Sequence, residues 1–346
     1  MIALKKSIYH LLPSNGIGGV EAAAKSTKSL NHRLFTLDVH YLSKKKQSIG
    51  FKNNYKVIIP YIKSFYYLFS KEPSVIIASL WRSNLLAILY KLLRRKTKLV
   101  LFLHCPNNVH LIDRIVTNIS AIIASEVWAD SKATLNNRLN NLVLTDKNKK
   151  TRVISFITER LIPLPLKKCS PTFIYWGRLS PEKRIDEAIS FFHQAYLKNK
   201  DCNFTIIGPD CGQKDKLMRL IYKLNLKDNI RIYDSMNIES IRQFSEKASF
   251  FLQLSTFEGM GMSVVESMQI GLIPIVTKVG EIKYYCSNSN SIEYTSNSAV
   301  LNRVFELIKN ENDYQEMRQN AIKTWSKSPI YKEQITNACK ELIDEY

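Results

Sequence analysis

The sequence predicts an α/β protein of two doubly wound, mostly parallel sheets facing each other across a cleft. Three observations carry that expectation. Short, continuously apolar runs alternate with segments of helical periodicity along almost the whole chain, as parallel strands covered by helices on both faces require. The alternation falls into two series, parted by a stretch from Glu159 to Pro171 that holds Pro163, Pro165 and Pro171 and has no periodicity. A length of 346 residues also suits two domains better than one core. The expected division is a first domain over 1–162, a linker over 163–171, a second domain over 172–326 and a C-terminal helix over 327–346. The closing helices are expected to pack back towards the first domain.

In the first series, Ser7–Leu12 reads as a strand, followed by a turn with glycines at 16, 18 and 19 that opens a helix running to about Leu30. Strands are expected at Leu34–Leu42, Tyr55–Ile59, Val75–Leu80, Lys98–His104, Glu126–Ala129 and Arg152–Ile157. The helices between them are Tyr61–Phe69, Asn84–Leu93, about Val109–Ile122, and Lys132–Leu139 with Asp130-Ser131 as its N-cap. Val75–Leu93 is the most apolar long stretch, but Arg82, Ser83 and Asn84 interrupt it, so it reads as strand plus helix and not as a membrane span. The start of the chain shows no signal-peptide pattern.

The second series places strands at Phe173–Trp176, Asn203–Ile207, Asn229–Tyr233, Ala248–Leu254 and Leu272–Val276. Helices are expected at Pro181–Leu197, Gln213–Leu224 and Ile238–Glu246. Three more close the chain over Asn297–Lys309, Glu311–Ser326 and Tyr331–Glu345. In such sheets, ligands bind beyond the carboxyl ends of the strands.

One loop stands out at that edge. Ser255–Glu266 reads S-T-F-E-G-M-G-M-S-V-V-E, between an apolar strand and a short helix. Gly259, Gly261, Met262 and Ser263 would expose backbone N–H groups at a helix start, which favours an anion. Glu258 and Glu266 bracket this cradle. After the Phe173–Trp176 strand comes G-R-L-S-P-E-K, which brings Arg178 and Lys183 to the same sheet edge. Two cations beside a glycine-rich helix start suit a diphosphate.

Charge is distributed unevenly. Residues 1–166 hold 26 Lys and Arg against 8 Asp and Glu, and residues 167–346 hold 24 against 22, within a formal net charge of +20. A polyanion or an anionic membrane surface is therefore expected to meet the first half. The basic residues cluster at 44–46, 91–98 and 147–152, near Phe65, Tyr66, Tyr67 and Phe69, which favours a membrane interface. No nucleic-acid-binding module is present in the sequence. The six cysteines are scattered without a C-x-x-C, so neither a disulfide framework nor a zinc site is expected, and a reducing cytosol fits.

These motifs, taken in order, resemble the family 4 (group 1) retaining glycosyltransferases. The resemblance rests on Gly177–Lys183, the E-x(7)-E pair Glu258 and Glu266, Ile207-Gly208-Pro209, Thr277–Gly280, and Gly18-Gly19-Val20-Glu21. It implies a GT-B fold of two Rossmann-like domains, with the nucleotide-sugar donor on the second and the acceptor mainly on the first. Arg178 and Lys183 would hold the diphosphate and stabilise it as it leaves, helped by N–H groups around Gly261, Met262 and Ser263. Glu266 would bind the ribose, and Glu258 the transferred sugar. His104, at a strand end, would contact the donor sugar, and Gly18 and Gly19 would approach donor phosphates or acceptor. No metal and no cofactor is implied, and the sequence has no D-x-D. Two positions depart from the family pattern: methionines at 260 and 262, and Glu281 where a second glycine is common.

The resemblance thus implies a hexosyl or N-acetylhexosaminyl transfer with retention of configuration. The acceptor would be a glycan or an undecaprenyl-diphosphate-linked oligosaccharide, in O-antigen, capsule or similar polysaccharide synthesis. The site of action would be cytoplasmic, peripheral to the inner face of the membrane. A nucleotide-sugar epimerase and a non-catalytic basic protein binding membrane or polyanion are the alternatives; the paired glutamates speak against the first.

Overall fold

Strand and helix alternate through two units in the computed structural model, residues 1–159 with 329–346 and residues 160–328. The structure describes residues 5–16, 18–43, 54–105, 107, 110–142 and 149–344.

The first unit runs β1 (Lys6–Ser14), α1 (Gly19–Ser26), β2 (Leu30–Asn31), β3 (Phe35–Ser43), α2 (Asn54–Lys71), β4 (Val75–Ser79), α3 (Leu80–Leu93), β5 (Lys98–Leu103), α4 (Leu111–Ile123), β6 (Glu126–Ala129), α5 (Lys132–Leu139) and β7 (Thr151–Val153). Its sheet order is β2-β3-β1-β4-β5-β6-β7. All neighbours are parallel except β2 with β3. β4 and β6 are buried along their whole length, and apart from Ser79 and Glu126 they read as apolar runs. Each Ile, Leu or Val so buried contributes roughly 1.5–3 kcal/mol. Ser131 caps α5 as expected, its hydroxyl accepting from Thr134 N–H at 3.1 Å.

The second unit runs β8 (Thr172–Trp176), α6 (Ile185–Lys198), β9 (Asn203–Ile207), α7 (Lys214–Lys223), β10 (Ile230–Tyr233), α8 (Ile238–Ser245), β11 (Phe250–Gln253), α9 (Met262–Gln269), β12 (Ile273–Val276), α10 (Ile282–Tyr285), β13 (Ile292–Glu293), α11 (Asn297–Lys309) and α12 (Glu311–Ser326). Its sheet is β10-β9-β8-β11-β12-β13, every neighbour parallel. Phe173 sits at the centre of its core, its ring against those of Phe191, Phe192 and Phe250. Both units are therefore Rossmann-like, as the residue pattern predicted.

The last helix, α13 (Tyr331–Asp344), belongs to the first unit. Tyr331 N–H donates to Ile157 O at 2.6 Å, Gln334 bridges to Ser155, and Arg152 pairs with Glu341. Residues 163–171, the expected linker, lie within the second unit. There Leu164 N–H bonds Ile270 O, and Cys169 N–H bonds Glu311.

Four expectations need correction. The strand expected at Arg152–Ile157 is only Thr151–Val153 and ends four residues early. Tyr55–Ile59 is no strand; it joins Tyr61–Phe69 in the single helix α2, with Pro60 inside. A short apolar run cannot by itself separate strand from helix. The helix after Gly18 ends at Ser26, four residues early. The hydroxyls of Ser26 and Thr27 bond the carbonyls of Ala23 and Ala24, and such local bonds compete with another helical turn. The segment from Pro181 is broken too. Pro181–Lys183 forms a single 3-10 turn, and Arg184, at φ 48°, separates it from α6. All six cysteines are free thiols.

Candidate active site

Most of the predicted residues meet at the carboxyl edge of the second sheet, where β8, β9, β11 and β12 each release a loop. Two glycines set how closely these loops stack. A Cβ on Gly208 would lie 1.7 Å from Gly177 O, so the loop after β9 presses directly on the arginine loop after β8. Leu179 N–H to Pro209 O and Cys211 N–H to Leu179 O lace the two together. A Cβ on Gly280, at φ 57°, would lie 2.0 Å from Glu258 O. The loop after β12 therefore backs the acidic loop, and Glu281 N–H donates to Gly259 O at 2.9 Å. The Gly208 and Gly280 positions of the two short motifs are thus explained by backbone contact.

Two tyrosines pin the same loops from below. Tyr175 OH donates to Arg178 O at 3.0 Å and Tyr285 OH to Met260 O at 2.8 Å. Burial pushes both phenols well above their ordinary pKa, so they stay neutral donors.

Within this frame Lys183 and Glu258 contact each other. Lys183 Nζ lies 2.5 Å from Glu258 Oε1, and the two side chains are 12% and 11% exposed. Gln253, the last residue of β11, donates to the same Oε1 at 2.9 Å. Ser263 Oγ in turn donates to Gln253 Oε1 at 2.7 Å. The result is a continuous chain, Lys183–Glu258–Gln253–Ser263, reaching the first turn of α9. Gly261 is the N-cap of that helix, in the left-handed region at φ 73°, and Met262 is its first residue. No side chain caps it, so its first N–H groups keep their positive end of the helix dipole.

The remaining residues of the loop edge divide by exposure. Arg178 is half-exposed and stands 3.5 Å from Glu182. Burial pushes the Glu182 carboxyl up, but the Ser180 hydroxyl, a backbone N–H and the charges of Arg178 and Lys183 hold it below its usual range. Glu266 points back to β8, where Trp176 Nε1–H donates to its Oε2 at 2.7 Å.

Gln253 and Trp176 are placed on strands by the sequence pattern but given no role in the site. A lone Gln at the end of an apolar strand and an aromatic within one carry no motif signal. The usable clue was position: both stand at the carboxyl end of a strand in the doubly wound order.

His104, Gly18 and Gly19 belong to the first unit. His104 follows β5, and its Nε2 lies 2.6 Å from Ser79 Oγ. His10 Nε2 reaches the same hydroxyl at 2.7 Å from β1. One serine thus serves two rings, and both Nδ1 atoms are buried without a hydrogen-bond partner. Burial lowers His10 to about 3, and burial plus the neighbouring His10 lowers His104 well below its usual value. Both imidazoles are neutral at pH 7. Gly18 caps α1 and Gly19 opens it. The Glu21 carboxylate curls back over Gly18, 2.7 Å from where a Gly18 Cβ would stand. Among the described residues, no three His, Cys, Asp or Glu side chains gather as metal ligands.

Two Rossmann-like units make up the GT-B fold of glycosyltransferases. Residues 156–324 match the family Glycosyl transferases group 1, and that part of the chain is a group 1 glycosyltransferase domain of that fold. Over 110 residues it is 32% identical to the GDP-mannose:cellobiosyl-diphosphopolyprenol alpha-mannosyltransferase of Xanthomonas oryzae. That match covers 31% of this chain and 29% of the relative. The chain spans under a third of the length of this and the corresponding Xanthomonas campestris and Komagataeibacter xylinus proteins.

Solved structures are similar over nearly the whole chain. The crystal structure of Anabaena HepE in complex with UDP-glucose has a TM-score of 0.76 at 17% identity, covering 97% of this chain and 99% of that one. Sucrose-phosphate synthase from Thermosynechococcus elongatus has a TM-score of 0.77 at 14% identity, covering 99% and 100%.

Proposed function

We propose that the protein transfers a hexosyl or N-acetylhexosaminyl group from a nucleotide-diphosphate sugar to a glycan or a lipid-linked oligosaccharide, with retention of configuration and without a metal. The observation that carries this reading is the buried chain Lys183–Glu258–Gln253–Ser263, set beside Arg178 and the open start of α9. A buried cation, a second half-exposed one and the open N–H groups of a helix start suit a leaving diphosphate.

In this reading the bond from the anomeric carbon to the diphosphate breaks, and an acceptor hydroxyl oxygen forms the new one. The acceptor proton passes to the departing diphosphate. Arg178, Lys183 and the N–H groups of Met262 and Ser263 meet the charge that develops on the leaving oxygens. Glu258, held by Lys183 and Gln253, orients the transferred sugar. Glu266, held by Trp176, receives the ribose hydroxyls. His104, neutral, offers a ring edge to the sugar or acceptor, and the Gly18–Gly19 turn approaches the same substrates. The relatives named for a diphosphopolyprenol acceptor support a lipid-linked acceptor, and hence a cytoplasmic enzyme working at the inner leaflet in surface-polysaccharide assembly.

The test is a thermal-shift screen of nucleotides and nucleotide-sugars, followed by transfer assays with the donor it selects. Bound donor stabilises the fold by mass action. The anomeric proton coupling of the product reports retention, and chelator leaves the rate unchanged. Full transfer by both Glu258→Gln and Lys183→Ala would overturn the assignment.

A further inference from the structure

The helix α4 is inside out. Its buried face carries Asp113, Val116, Thr117, Ser120 and Ala121. Its exposed face carries Leu111, Ile112, Ile115, Ile119 and Ile122, each between 40% and 70% exposed. The inward face is held by polar contacts. Thr117 Oγ1 donates to Asp113 Oδ1 at 3.1 Å, and the buried Arg138 of α5 reaches both residues. A helix covering its own sheet normally turns its large aliphatic residues inward. Here spacing 111/112, 115, 119, 122 turns them outward, so the apolar stripe is made for something outside this unit.

The stripe is not isolated. The neighbouring helix α3 exposes Leu89, Leu92 and Leu93, and α2 exposes Ile58, Ile62 and Tyr66. Residues 58–123 hold nine Lys and Arg and only two acids. One acid, Asp113, is buried, and the other, Glu72, is paired with Arg94. Of the four aromatic residues expected to contribute, Tyr66 does and three do not: Phe65 and Phe69 pack inward on Tyr90, and Tyr67 stacks on His40. The basic runs at 44–46 and 147–148 lie outside the described residues. Among the described residues no helix is long and apolar enough to cross a membrane.

We infer that the outward face of α2, α3 and α4 is a docking surface for an anionic bilayer, with the α4 isoleucines entering the headgroup–acyl boundary. An apolar row this long exceeds ordinary surface exposure. A cationic rim without free acids selects an anionic partner, and a lipid surface offers both the charge and the apolar interior. This deepens the lipid-linked reading of the acceptor but is measured without donor or acceptor, so the two can fail separately.

The experiment is flotation of the full chain with vesicles of phosphatidylglycerol and phosphatidylethanolamine, against pure phosphatidylcholine vesicles, at low and high salt. The wild type should float with the anionic vesicles, and part of that binding should survive high salt, since apolar insertion is not screened. The variant Ile115→Ser/Ile119→Ser/Ile122→Ser should lose the salt-resistant part, at least about tenfold. Its Tm and its transfer to a water-soluble acceptor should be unchanged. Equal flotation of variant and wild type, or no flotation of the wild type, would overturn the inference. So would a wild-type dimer in solution that the variant dissolves, because the stripe would then be covered by a second copy.

Discussion

Lys183 and Glu258, 75 positions apart in sequence, share one nearly dry contact of 2.5 Å. The sequence reading gave them separate partners, diphosphate and sugar. The fold gives them each other. Removing one partner of a buried pair costs about 3–5 kcal/mol, because the other charge is left without compensation. Lys183→Ala and Glu258→Gln should each lower stability by a large part of that, and each should reduce turnover by roughly 10²–10³. The double variant should recover stability but not activity. Urea denaturation and initial rates across the double-mutant cycle check both halves.

Gly280→Ala should damage the site through backbone alone. Its positive φ disfavours any side chain, and the new Cβ would meet Glu258 O and Gly259 O. A cost of about 1–3 kcal/mol is expected. The acidic loop should shift, and transfer should fall more than the loss of folded protein explains. Rate per folded molecule, normalised by circular dichroism, separates the two.

Trp176→Phe removes the N–H that holds Glu266 while keeping a ring in the core. Under the proposed role of Glu266, nucleotide affinity should fall about tenfold, the equivalent of ~1.4 kcal/mol for one hydrogen bond to a charged group. Turnover at saturating donor should change little. Nucleotide titration followed by thermal shift measures the first, and a KM-against-kcat comparison the second.

His10 gives a pH dependence whose sign follows from burial. Its folded pKa is lowered from 6.5 to about 3, so the unfolded chain binds the proton first. Stability is then full above about pH 6.5 and is lost progressively as pH falls towards 3, on the order of 4 kcal/mol across that range. His104, also lowered, acts in the same direction. Denaturant midpoints at pH 7.5 and pH 5 should differ accordingly, and His10→Gln should flatten the slope.

Much of the second unit was legible because its strands are buried on both faces and its loops carry glycines that backbone contact demands. The E-x(7)-E spacing put Glu258 before α9 and Glu266 within it, where both are found. Three kinds of fact were not legible. Pairings across the fold, such as Lys183 with Glu258 or Trp176 with Glu266, join residues that no local pattern relates. The run at Tyr55–Ile59 is too short for its period to distinguish helix from strand, and it was the long helix α2 that absorbed it. The third is the direction of α4. A 3.6-residue apolar period reads the same whether the stripe faces the sheet or the solvent, and only the buried Asp113, Thr117 and Arg138 reveal which.

The return of α13 to the first unit orders events during synthesis. The first unit needs Tyr331, Gln334 and Glu341 to complete its contacts with Ile157, Ser155 and Arg152. Residues 160–328 are all synthesised before those residues. The residues of the second unit are therefore complete while the first unit still lacks α13. A released chain truncated after Ser328 should hold a protease-resistant second unit and a first unit still open to cleavage.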